Sequence, residues 1–134
     1  MNLGELRALV RLTLASTAAW PDATLDGWIG QGIRLYGAHF GEVAVPVAGD
    51  DDVEIGVPAI HLEAIVAYAD FAAHRELEAD EAVVVDASTV VLSQLGQEAR
   101  RAWERYKDVM DRLVWLGGGT LVDVPQPNWG DIGL

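Results

Sequence analysis

Apolar residues recur three and four positions apart along most of this chain, the spacing of one helical face. Over residues 3–15, Leu3, Leu6, Val10 and Leu14 form the first stripe, and Leu9 and Leu12 widen it. Arg7 and Arg11 fall one turn apart, on the side read as opposite. A short "STAA" link precedes "WPDATLDGWIGQGIRLYGAHF", residues 20–40, where Leu25, Trp28, Ile29, Ile33, Tyr36 and Phe40 share a second stripe. Asp22 or Thr24 can cap this helix, since either side-chain oxygen can accept from an orphan N–H of the first turn. Pro21 holds Trp20 extended, so Trp20 can fold back on the first turn as a hydrophobic staple. Gly30 and Gly37 lie off the stripe, each costing about 1 kcal/mol relative to Ala in a helix. Either they admit a close backbone or they sit on an exposed face. Gly41 predicts the stop.

The pattern then changes period. In residues 42–58, "EVAVPVAGDDDVEIGVP", the β-rich runs Val43–Val47 and Val53–Val57 flank a polar "AGDDD", which predicts a β-hairpin. Pro46 makes its strand an edge. After Pro58 a third helix is predicted over 59–79, with Ile60, Ala64, Ala67, Tyr68, Phe71, Ala72 and Leu77 inward. "ADEAVVVDAST", residues 79–89, breaks the pattern with three β-branched residues in a row and predicts a loop or short strand. Ser88 or Ser93 then caps the longest helix, running to about Trp115, whose apolar positions Leu92, Leu95, Ala99, Trp103, Tyr106, Met110 and Leu113 repeat near 3.5 residues. The fold class predicted is mainly α: a small bundle of about four helices over residues 1–116, with a β-hairpin insertion at 42–58. Its core is expected to hold Leu25, Trp28, Ile33, Tyr36, Trp103 and Tyr106. Residues 117–134 have no helical period and two prolines. They predict an extended C-terminal arm that docks on a partner through Leu121, Val122, Val124, Pro125, Pro127, Trp129 and Ile132.

Composition narrows the function. The chain has 134 residues, one domain's worth. Half of it is apolar, which excludes a disordered acidic tail. Its apolar runs are too short for a membrane span, and the N-terminus reads as no signal peptide. The absence of cysteine excludes disulfides and thiol chemistry. Charge is concentrated: of 21 acids, twelve lie within residues 42–86, against the single base Arg75. Such a segment repels phosphate rather than binding nucleic acid. Asp50, Asp51, Asp52, Glu54, Asp80 and Glu81 are the candidate acidic face.

Signals for chemistry are sparse. "GGGT" lacks the Lys-Ser/Thr of a phosphate loop, and no nucleophile elbow occurs. "DDDVE" lacks the spacing of a calcium loop. Asp70 and His74 lie one helical turn apart, with His61 further up the same predicted helix, but no third close ligand accompanies them. No catalytic set, cofactor site or metal site is expected.

The helix "LGELRALVRLTL", the short link, "WPDATLDGWIGQGIRLYGAHF", a β-like excursion and two long helices together resemble the head–tail connector (adaptor) proteins of tailed phages and gene transfer agents. The resemblance spans about residues 3–116. It departs from the family pattern at Pro21, where a capping Ser or Thr is more usual, and at the glycines of the second helix. It implies a structural protein of the virion neck, present in the host cytoplasm during assembly. Such proteins form a ring of about twelve copies beneath the portal protein. The ring extends the DNA channel, lets DNA pass without specific binding and docks the next neck or tail protein. On that reading the acidic segment faces the channel and the arm reaches a neighbour or the portal, with Trp129 as anchor. The alternatives are another phage neck or tail-completion protein, and a small helical metal-binding protein or enzyme built on Asp70 and His74.

Overall fold

The computed structural model describes residues 1–14, 20–82 and 89–117. These residues are mainly helical: α1 spans Leu3–Thr13, α2 Asp22–Phe40, α3 Leu62–Ala82 and α4 Thr89–Gly117, with a 3-10 turn at Ala59–His61 leading into α3. None of the described helices is long and apolar enough to cross a membrane.

The start of α1 is closed by a capping box that the stripe alone does not announce. The Asn2 side chain accepts from the Glu5 backbone N–H, and the Glu5 carboxylate accepts from the Asn2 N–H, so two orphan groups are satisfied reciprocally. Leu3, Leu6 and Val10 are buried as the spacing predicts, and Leu9 is half-buried. Leu12 does not join them: it is 84% exposed.

α2 begins one position earlier than a side-chain cap would set it. Pro21 occupies the cap position with no side-chain bond, and its carbonyl accepts from Thr24 and Leu25. The caps predicted for Asp22 or Thr24 are therefore not formed. Asp22 is the first helical residue, and its carboxylate pairs with Arg11 instead. Leu25, Ile29, Ile33 and Tyr36 are buried. Trp28, predicted in the core, is only half-buried. It lies on the flank of the stripe, where Trp20 meets it edge to face with ring centroids 5.1 Å apart. Trp20 does fold back on α2, but the pair shields the core's edge rather than filling its centre. The helix stops at Gly41, which adopts φ 102° while its N–H donates to Gly37.

No hairpin forms over 42–58, and no strand is present among the described residues. Val43 and Val45 pack against the core, with residues 42–45 running back along α2: the Glu42 and Val43 backbone lies by Gly37, and the Val45 side chain by Gly30. The second run finds a different partner, the start of the chain. Leu3 N–H donates to Val53 O, Gly4 N–H to Asp51 O, and Ile55 N–H to Met1 O, with an isolated antiparallel bridge between Asn2 and Glu54. The β-forming residues keep an extended habit, but the N-terminus satisfies the backbone groups that a hairpin partner was expected to satisfy.

α3 is the central element and packs on both sides. Leu62, Ile65 and Ala69 join Leu3, Leu6, Val10, Leu25, Ile29 and Ile33 in one core. Ala64 and Phe71 join Ala102, Trp103, Tyr106, Met110 and Leu113 in a second. Small alanines let α4 approach closely, and the pairs Glu63–Arg112 and Asp70–Arg105 show that α3 and α4 run antiparallel. Ile60 was predicted to face inward but is 77% exposed. Pro58 starts a 3-10 turn first, so the α-helical register begins only at Leu62. Ala67, Ala72 and Leu77 are half-buried rather than central. Of the predicted core set, Leu25, Ile33, Tyr36, Trp103 and Tyr106 are buried. Ser93 lies inside α4 and caps nothing; Ser88, residues 83–88 of the predicted loop, and residues 118–134 of the predicted arm lie outside the described residues.

Candidate functional site

The most constrained polar site is built on Arg7. It sits four residues after Leu3 and three before Val10, so it shares their face and is buried rather than opposite them. A buried guanidinium needs partners for its charge and its donors. Asp26 supplies both. Arg7 Nε donates to Asp26 Oδ1 and Nη2 to Oδ2, each at 2.8 Å, the parallel fork that binds carboxylates best. Nη2 also donates to Asp51 Oδ1 at 2.6 Å. Asp26 Oδ2 accepts in addition from the Gly49 N–H at 2.9 Å. Gly49 holds φ 87°, a left-handed conformation open to glycine.

Three segments therefore meet at one ion cluster: α1 through Arg7, α2 through Asp26, and the loop tip through Gly49 and Asp51. Hydrogen bonding to Asp26 first, and to Asp51 second, raises the Arg7 pKa above its ordinary value. The Arg7 hydrogen bond holds the Asp51 carboxyl below the usual carboxylate range. Both shifts favour the charged forms of Arg7 and Asp51, and the cluster ties the loop to α1 and α2.

The six acids of the candidate face are divided by this arrangement. Asp50, Asp51 and Asp52 form the exposed loop tip. Asp51 turns one oxygen inward to Arg7, and Glu54 pairs with the N-terminal ammonium at 3.0 Å. Asp80 and Glu81 sit in the last turn of α3, on a different element. The loop tip is thus an acidic knob tied to α1 and α2 through Asp51 and Gly49.

The residues weighed for metal or catalysis are placed otherwise. His61 leaves the α3 face on which it was expected. It lies in the 3-10 turn, buried, with Nδ1 2.6 Å from the Tyr36 hydroxyl and its ring against Phe40. Burial raises the Tyr36 pKa. Asp70 faces Arg105, whose Nη2 donates to Oδ2 at 2.9 Å, while His74 Nδ1 lies 2.9 Å from the Asp70 carbonyl oxygen. The other Asp70 oxygen, Oδ1, lies 3.5 Å from His74 Nδ1. Among the described residues, no group of three or more His, Asp or Glu side chains could hold a metal ion. Leu121, Val122, Val124, Pro125, Pro127, Trp129 and Ile132 lie outside the described residues.

Comparison with protein-family models, with curated proteins and with solved structures finds no match.

The Arg7–Asp26 pair was missed in the sequence, but it left a signal. Asp26 precedes Ile29 and Ile33 by three and seven residues, so it shares the inner face of α2. An acid and a base each on the inner stripe of successive helices are expected to find one another.

Proposed function

We propose that this chain is a structural head-to-tail connector of a tailed phage or phage-like particle, one copy of a ring that lies beneath the portal, extends the DNA channel and docks the next neck or tail protein. The observation that carries the reading is the Trp20–Phe40 segment. It bears the family resemblance, and its helix forms one wall of the main core. The mainly helical order of elements is compatible with the plan of that family.

The locked acidic tip gives the reading a physical mechanism. A lumen lined by fixed carboxylates repels DNA phosphates, so the duplex slides without adhering. Asp50, Asp51 and Asp52 are the residues for that surface, and Arg7 keeps them from folding away. Residues 117–134 form the attaching arm, with Trp129 its anchor. Ring closure follows from a head-to-tail contact repeated around an axis.

Imaging of particles that carry this chain tests the proposal. Density for the chain in a closed symmetric ring between portal and tail is the expected result. Isolated single copies, or a location elsewhere on the particle, overturn it.

A further inference from the structure

An open groove of about 450 Å³ lies between α2 and residues 42–45. One wall is Ile33, Arg34, Gly37 and Ala38; the other is the chain from Glu42 to Val45. Along that second wall Val43 and Val45 turn inward to the core and Ala44 is exposed, the alternation of a strand. Among the described residues, the N–H and C=O groups of Val43, Ala44 and Val45 have no backbone partner. An extended, unpaired edge beside an apolar floor is the arrangement that accepts an added strand. Gly37 keeps the floor low. A Cβ there would stand 3.5 Å from the nearest atom, an ordinary contact, so packing within the domain does not require glycine at this position.

We propose that this groove receives residues 120–124, "TLVDV", from the C-terminal segment of a second copy, added as a strand beside residues 43–45. The inference rests on the ring reading, for which it supplies the head-to-tail contact. The segment matches the groove in pattern: Val122 and Val124 fall on one side and Asp123 on the other, so two apolar side chains meet the floor. Its one charge is the acid Asp123, and the groove's wall offers it the cation Arg34 on α2, with Glu42 on the opposite wall. Residues 118–134 reach about 55 Å when extended, more than the length of α4, about 44 Å for its 29 residues. Trp115 and Leu116, in the last turn of α4, are 88% and 74% exposed, so the described residues leave the apolar end of α4 uncovered.

The chain has no cysteine, so a disulfide between two copies reads the contact directly. Ala44→Cys and Asp123→Cys are made in separate full-length chains, one of them size-tagged. The two are mixed at about 1 mM, where a contact with a Kd of about 1 mM is substantially occupied, and then oxidised. Strand neighbours place their Cα atoms about 5.5 Å apart, within disulfide reach. Expected is a mixed dimer several-fold above that from Ala8→Cys with Asp123→Cys, since Ala8 is exposed on α1, away from the groove. Ala38→Trp, added to the Ala44→Cys chain, fills the groove from an exposed position and returns the yield to the control level. A mixed dimer no more abundant than the control, or one indifferent to Ala38→Trp, overturns the proposal. So does the double variant Ala44→Cys/Asp123→Cys closing only within one chain. The ring is judged separately from particle images: cross-linking by a chain never found in a ring keeps the groove and removes the ring, whereas a ring without cross-linking removes the groove.

Discussion

Arg7 and Asp26 expose 7% and 1% of their side chains, so each is a charge that water cannot rescue. Arg7→Met is expected to cost about 3–5 kcal/mol, because it leaves the Asp26 carboxylate buried and unpaired. Urea unfolding measures it, and a loss under about 1 kcal/mol, the worth of an exposed pair, would show that the pair is not buried as described. Two other acids give opposite pH signatures. Asp51 has a lowered folded pKa, so its contribution is present above the ordinary carboxylate value and is lost as pH falls through the lowered one. Glu78 is fully buried with neither carboxylate oxygen hydrogen-bonded. Burial raises its pKa, against the charge of Arg75, 3.6 Å away, and of Arg100. Its folded state therefore favours the proton, and stability from Glu78 is lost as pH rises through the raised value. Glu78→Gln is expected to raise the unfolding midpoint at neutral pH and to leave it nearly unchanged at acid pH; equal shifts at both would exclude titration as the cause. At this scale the sequence was legible for apolar positions and misleading for charged ones. A helical stripe reports which face is buried, and Arg7 lies on that face, but the habit of placing arginine outside hid it.

α2 carries Gly27, Gly30, Gly32 and Gly37, and their surroundings differ enough to separate helix propensity from packing. A Cβ at Gly27 meets nothing within 4 Å, whereas at Gly32 it meets Ile65 and Tyr68 of α3 at 3.4 Å. Gly27→Ala is thus expected to stabilise by about 1 kcal/mol, the propensity difference alone. Gly32→Ala is expected to gain less, since a methyl there would stand against three side-chain atoms of α3 with no room to spare. Thermal or denaturant midpoints of the two variants decide it, and an equal gain at both would show that α2 and α3 do not approach as closely as described. The glycine-rich helix is therefore a close-packing surface on its α3 side. Trp103 and Trp28 make a second contrast: Trp103→Ala is expected to cost about 3–5 kcal/mol and the half-buried Trp28→Ala clearly less. Helices were legible because periodicity is local. The hairpin was not, because the partner of Val53 and Ile55 is the chain start, some fifty residues away, and β-forming residues announce an extended habit without naming the backbone that will pair with it. The capping of α2 failed for a related reason: Arg11 competes for Asp22 from another helix.

Among the described residues, the two cores are drawn from residues 3–14, 20–71 and 102–113, centred on α3, which both share. The sequence conveyed this much of the whole molecule, since residue spacing fixes helix faces and the faces must meet. It did not convey how charge is arranged in space, because that depends on the path of residues 42–58, and the acidic knob stands where Arg7 holds it. The C-terminal arm expected from the sequence belongs to this scale too: Gly118 and Gly119 follow directly on α4, Pro125 and Pro127 favour an extended chain, and Val122, Val124, Trp129 and Ile132 are too scattered to make a helical face. Ordering such a segment costs about 1–2 kcal/mol per residue in backbone entropy, so only extensive contacts can hold it, and the proposed source of those contacts is a neighbour. Deleting residues 118–134 is accordingly expected to leave the thermal midpoint of the isolated chain unchanged, because the described residues already supply two packed cores, while abolishing incorporation into particles. Calorimetry of the truncated chain and its recovery in purified particles are the two measurements. A truncated chain that unfolds shows the arm to be part of its own core, and one that enters particles normally shows that attachment lies elsewhere on the domain.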